Sequence, residues 1–184
     1  MEMISKKLVL GVVAIFGFAA GCANAEVGED EAVDEIEQGK IIGTNDLTPV
    51  TKDGANIPAK YAALIDAFGS MSMGCTATHI GNGLALTAGH CFRAPSTRKD
   101  NVPCPNVTVK WGVRRDKPSY LTSTCSIILA EEHSRSRDYA IFKVDPAPPV
   151  DIEVDFQARP KSDTTLTIFG HPSRRPLEWS KTCA

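Results

Sequence analysis

The chain has 184 residues, 42% of them apolar, with 20 Lys and Arg set against 22 Asp and Glu. That length builds one ordinary domain with a real core, and a net charge of −2 excludes the broad basic field that nucleic-acid binding requires. Aromatic residues are sparse, whereas 14 glycines and 12 prolines punctuate the chain, so an all-β fold rich in turns is expected.

Lys6-Lys7 followed by Leu8 to Ala20 reads as the basic and apolar parts of an export signal over residues 1–21. The apolar run is short for a transmembrane helix. Two exits follow it. Ala19-Ala20-Gly21-Cys22 resembles a bacterial lipobox, with Ala19 where leucine is usual, and offers Cys22 for lipidation. Ala23-Asn24-Ala25 resembles an ordinary small-x-small cleavage site. Either route takes the protein out of the cytoplasm, to the bacterial cell envelope as an outer-membrane lipoprotein or into the medium as a secreted protein. Six cysteines (22, 75, 91, 104, 125 and 183) suit such an oxidising destination.

Residues 22–40 are expected to be an acidic tether or propeptide. Seven of the twelve residues from Glu26 to Glu37 are acidic, and such a run cannot bury enough surface to fold alone. From Ile41 onward 17 Lys and Arg face 14 Asp and Glu, a balance of only +3.

Beyond that point the chain reads as strands and turns. Asp53-Gly54 is a turn signal, and the apolar run Tyr61 to Phe68 predicts a strand. Cys75 to Ile80 and Leu84 to Ala88 predict a hairpin closed by Gly81-Asn82-Gly83, a connection that supplies positive φ angles. The second run ends at Gly89, where a sharp turn presents His90. Cys75 and Cys91 flank this hairpin, and a disulfide between them ties its start to the residue beside His90. Pro95 to Pro105 predicts a surface loop. Val107, Val109 and Trp111 alternate in Asn106 to Trp111, a half-buried strand. Cys104 and Cys125 bracket that region and are available to pair, although spacing does not fix connectivity. Cys125 to Ala130 predicts another strand. After the polar stretch 131–137, which contains His133 as a solvated side chain, Asp138 heads an alternating strand. Pro146 to Pro149 breaks regular structure. Thr164 to Phe169 predicts a last strand, turned by Gly170-His171-Pro172. The histidines and cysteines show no metal-ligand spacing on one element, so neither a metal nor a cofactor is expected.

Thr87-Ala88-Gly89-His90-Cys91 resembles the Thr-Ala-Gly/Ala-His-Cys signature around the catalytic histidine of chymotrypsin-like (trypsin-like) serine peptidases. Cys75 sits where that family's histidine-loop disulfide begins. Asp138-Tyr139-Ala140-Ile141 resembles the Asp-hydrophobic-Ala-Leu/Ile pattern that carries the family's aspartate. Lys40-Ile41-Ile42-Gly43 is similar to its zymogen activation site, where processing frees an isoleucine amine. Ile-Gly-Thr-Asn-Asp from Ile42, and Gly170-His171-Pro172 with Trp179-Ser180, resemble the bacterial glutamyl-endopeptidase branch.

The resemblance implies a chymotrypsin-like double β-barrel, with residues 41–145 as the first barrel and 146–184 as linker and incomplete second barrel. It implies an exported serine endopeptidase acting on protein or peptide substrates as a monomer, with His90 as base and Asp138 as its orienter. Membrane attachment, if any, runs through Cys22. The family's serine lies in a Gly-x-Ser-Gly context. After Asp138 only Ser162, Ser173 and Ser180 occur, none beside a glycine. The expectation is therefore an N-terminal fragment lacking its nucleophile and inactive as it stands. The alternative is a non-catalytic, peptidase-like binding module at the cell envelope.

Overall fold

The computed structural model describes residues 47–92, 98–155, 157, 161 and 164–181. Cys22, Lys40, Ile41 and Cys183 lie outside the described residues, as do the signal and tether expected before them.

Among the described residues ten strands carry the fold: β1 (Thr48–Pro49), β2 (Phe68–Met71), β3 (Thr76–His79), β4 (Leu84–Thr87), β5 (Lys99–Pro103), β6 (Thr108–Trp111), β7 (Leu121–His133), β8 (Asp138–Asp145), β9 (Phe169–Gly170) and β10 (Glu178–Trp179). Six of them close an antiparallel barrel in the order β7-β6-β2-β3-β4-β8, with β8 returning to β7. Closure removes the unpaired strand edges on which other chains could pair. The 13-residue β7 holds the barrel together. Its first half pairs with β6, its second half with β5, and nearly its whole length with β8. Two register shifts, between Cys125 and Ile127 and between Ile128 and Ala130, act as bulges that bend it from one neighbour to the next.

Alternation drives the packing. Along β8 the inward residues Ala140, Phe142 and Val144 are buried, and between them Lys143 stays in solvent. Small Ala77 and Ala85 face large Trp111 and Phe142 in the barrel interior. Trp111 is completely buried and donates its indole N–H to Ser123 Oγ at 2.8 Å. Gly69 makes room for it, because a Cβ there would collide with Val109 and the Trp111 ring. Disulfide Cys104–Cys125 joins the approach to β6 to β7.

A second core lies outside the barrel. Val50, Ile57, Ile65, Phe68, Leu177 and Trp179 are buried together, under a three-stranded sheet of order β1-β10-β9. The segment after the barrel therefore returns to pair with the residues that precede it. Buried Arg114 pairs with Asp66 and donates to the Lys52 carbonyl at 3.1 Å, which fastens that preceding segment to the barrel. The linker is fixed at His79: its Nδ1 meets the Val150 carbonyl at 2.7 Å, Gly83 N–H meets its Nε2, and Ile152 N–H donates to its carbonyl.

Three sequence expectations are corrected. Tyr61 to Phe68 is not a strand: it holds the end of a short helix (Ala59–Ala62) and a 3-10 turn (Ile65–Ala67), with β2 starting only at Phe68. Its apolar residues are packed by the second core and not by a sheet. Pro95 to Pro105 is not all loop, since Lys99–Pro103 forms β5 on the outer half of β7. Thr164 to Phe169 reduces to an isolated bridge at Leu166 and the short β9.

His171 sits at the seam of the two regions and is almost wholly buried. Its N–H donates to Thr76 Oγ1 at 2.7 Å, and its Nδ1 meets the Arg175 carbonyl at 3.0 Å. Burial pushes its imidazole below the usual value of 6.5, against the pull of the Arg175 and Phe68 carbonyls. A base whose pKa falls on folding binds fewer protons folded than unfolded. Its stabilising contribution is therefore full above about pH 6.5 and declines as pH falls below it. We expect the melting temperature to drop between about pH 7 and pH 5, and to drop less in His171→Gln, as read by circular dichroism.

Candidate active site

The site is built where β4 ends. Thr87 Oγ donates to the Thr76 carbonyl at 2.8 Å, closing the hairpin at its open end. The chain then turns through a 3-10 segment, Gly89–Phe92. Gly89 is there because of close approach: a Cβ would overlap the Glu132 carbonyl and stand 3.0 Å from the Tyr139 carbonyl. The turn is thus pressed onto β7 and β8, and His90 is delivered beside the first residue of β8. Disulfide Cys75–Cys91, with Cα atoms 6.2 Å apart, fixes the other side. A loop of this size contributes about 3 kcal/mol in the chain-entropy account.

His90 and Asp138, 48 residues apart, meet through two hydrogen bonds. His90 Nδ1 lies 2.6 Å from Asp138 Oδ2, and the His90 backbone N–H donates to Oδ1 at 2.9 Å. Burial pushes the Asp138 carboxyl up, but the two bonds from His90 and the nearby His90 and His133 imidazoles outweigh it and hold the carboxyl below its usual range. An ionised carboxylate only accepts, so Nδ1 is the nitrogen that donates to it, which in the neutral tautomer leaves the lone pair on Nε2. The His90 side chain is 47% exposed and Asp138 41%, so the pair lies open at the surface. An imidazole held in this way is able to take up a proton at Nε2 while the carboxylate fixes its orientation.

Other expectations resolve around the pair. His133 is not a free loop residue. It is the last residue of β7, and its ring lies edge-on to His90 with centroids 6.0 Å apart. Nothing local in the sequence signalled this, because the cross-strand pairing of His133 with Asp138 creates it. Cys75, His90 and Cys91 bring ligand-type atoms within 4.8 Å of one another. Both sulfurs are consumed in the disulfide, so no thiolate remains to bind a metal. Of the later serines, Ser180 is buried and its Oγ accepts the Ile168 N–H at 3.0 Å. Ser173 lies in the Pro172–Arg174 turn, and Ser162 lies outside the described residues. Among the described residues, no serine hydroxyl is hydrogen-bonded to His90.

Compared with known proteins, the chain matches no protein-family model and no characterised sequence.

Proposed function

We propose that the chain carries the base and orienting acid of a serine endopeptidase of the chymotrypsin-like type, of the glutamyl-endopeptidase branch, working outside the cytoplasm. The observation that supports it is the two-point contact of Asp138 with the ring and backbone of His90, held by the Cys75–Cys91 staple at the rim of a closed six-stranded barrel. Two disulfides fit an oxidising compartment. Among the described residues, no helix is long and apolar enough to cross a membrane.

In this reading a serine hydroxyl attacks the scissile carbonyl as His90 Nε2 takes its proton. Asp138 stabilises the imidazolium that results without itself becoming protonated. His90 then returns the proton to the leaving amine. The attacking serine would come from outside the described residues.

The test is hydrolysis of a panel of peptide substrates by the complete protein and by its His90→Ala counterpart. We expect turnover by the complete protein, lost by several orders of magnitude in His90→Ala because triad members act as a unit. Turnover that survives the substitution or a serine-directed inhibitor would refute the assignment. A second reading, a peptide-binding module without catalysis, draws support from the lack of a serine bonded to His90 among the described residues. Peptide binding by the complete protein with no hydrolysis would favour it.

A further inference from the structure

The chemistry above leaves His133 without a role, although it reaches the pair from β7. It ends that strand directly opposite Asp138, the first residue of β8. Its ring lies edge-on to the His90 ring, with centroids 6.0 Å apart and planes at 63°. Rings attract in this arrangement because the positive edge of one meets the negative face of the other.

The backbone on both sides holds the rings at this separation. The 3-10 segment that carries His90 is pressed onto β7 at Gly89, where a Cβ would overlap the Glu132 carbonyl. Beyond His133 the chain closes a tight turn: Ser134 N–H donates to the Arg137 carbonyl at 2.7 Å, and Arg137 N–H donates to Ser134 Oγ at 3.2 Å. Glu132 points to the other face of the strand, where Ser134 Oγ donates to it at 3.2 Å and Arg137 Nη1 at 3.4 Å. His133 is therefore fixed at its root. His90 needs such a neighbour. Its side chain is 47% exposed, and an exposed side chain changes rotamer within nanoseconds unless packing restrains it.

We propose that His133 is a positioning residue for His90: its edge-on contact holds the imidazole in the rotamer that meets Asp138. Proton transfer depends on that rotamer, since a ring turned away from Asp138 loses both its orientation and the partner of its Nδ1. An aromatic pair of this kind changes the occupancy of a rotamer by about two- to tenfold. The hydrogen bonds of His90 go to Asp138, so the ring edge of His133 is what acts, and a phenyl ring should serve in its place. The consequence for turnover rests on the peptidase reading above, but the orientation of the ring is measurable without it.

The experiment follows the His90 Nδ1 proton by NMR in the full chain with isotope-labelled histidine, at one pH and temperature. The wild type is compared with His133→Ala, His133→Gln and His133→Phe, and the resonance is assigned by its loss in His90→Gln. Exchange of this proton with solvent should be about two- to tenfold faster in His133→Ala and His133→Gln. It should return to near the wild-type rate in His133→Phe, which keeps the ring edge and drops the charge. In the complete protein, kcat should fall by the same factor in the first two variants, with KM unchanged, and recover in His133→Phe. Unchanged exchange in His133→Ala or His133→Gln, exchange that stays fast in His133→Phe, no slowly exchanging His90 proton in the wild type, or an active complete protein whose kcat ignores His133→Ala would overturn it. The expected exchange pattern with no hydrolysis by the complete protein would count against the catalytic reading alone.

Discussion

Asp138→Asn should lower kcat of the complete protein by about four orders of magnitude while barely changing its stability. The carboxylate accepts from both His90 Nδ1 and the His90 backbone N–H, and this double contact sets the ring's tautomer. An asparagine amide can turn its NH₂ toward Nδ1, which moves the ring proton to Nε2 and removes the lone pair that accepts the serine proton in the proposed reaction. Stability changes little because both side chains are more than 40% exposed, and exposed ion pairs contribute on the order of 0–1 kcal/mol. A residue with a purely structural role would show the reverse pattern. The check is steady-state kinetics beside urea denaturation of the same two proteins. Loss of stability in proportion to loss of activity, or activity retained, would remove Asp138 from the chemistry.

The separation of activity from stability also explains how much of the site was legible in sequence. Thr87 to Cys91 is a local motif whose geometry is set by near neighbours: the hairpin closed at Gly81-Asn82-Gly83, Gly89 against two carbonyls and a cysteine beside the histidine. Asp138 was legible because it heads an alternating strand. What was lost depends on pairings distant in sequence. Apolar periodicity could not tell that residues 61–68 pack into a second core with Leu177 and Trp179, since a short apolar run reads alike as buried helix or strand. Polar and proline content hid β5, which pairs only along the outer half of β7, where prolines at strand ends are tolerated. The 13-residue length of β7 was masked by its two register shifts, which break the period of two. His133, the neighbour that β7 brings to His90, carries no motif. Its position follows from barrel closure.

Trp111→Ala should destabilise the fold by about 3–5 kcal/mol, a large part of the stability of a typical single domain. Trp111 is fully buried in the barrel, packed with Val109, Phe142 and Met71, and its loss leaves a cavity that a closed sheet cannot easily collapse. The indole N–H bond to Ser123 is a lesser part, because Ser123 Oγ still donates to the Pro146 carbonyl at 2.5 Å. Gly69 supplies the sharper test. Its missing Cβ is the space that Val109 and the Trp111 ring occupy, so Gly69→Ala alone should also be strongly destabilising. With Trp111 reduced to alanine, Val109 can turn into the vacated volume and the added methyl is partly accommodated. The double variant should therefore be more stable than the sum of the single losses implies. Independent sites add to within about 0.3–0.5 kcal/mol. Additivity within that margin, measured by urea unfolding of all four proteins, would mean that Gly69 is not kept small by the tryptophan it faces.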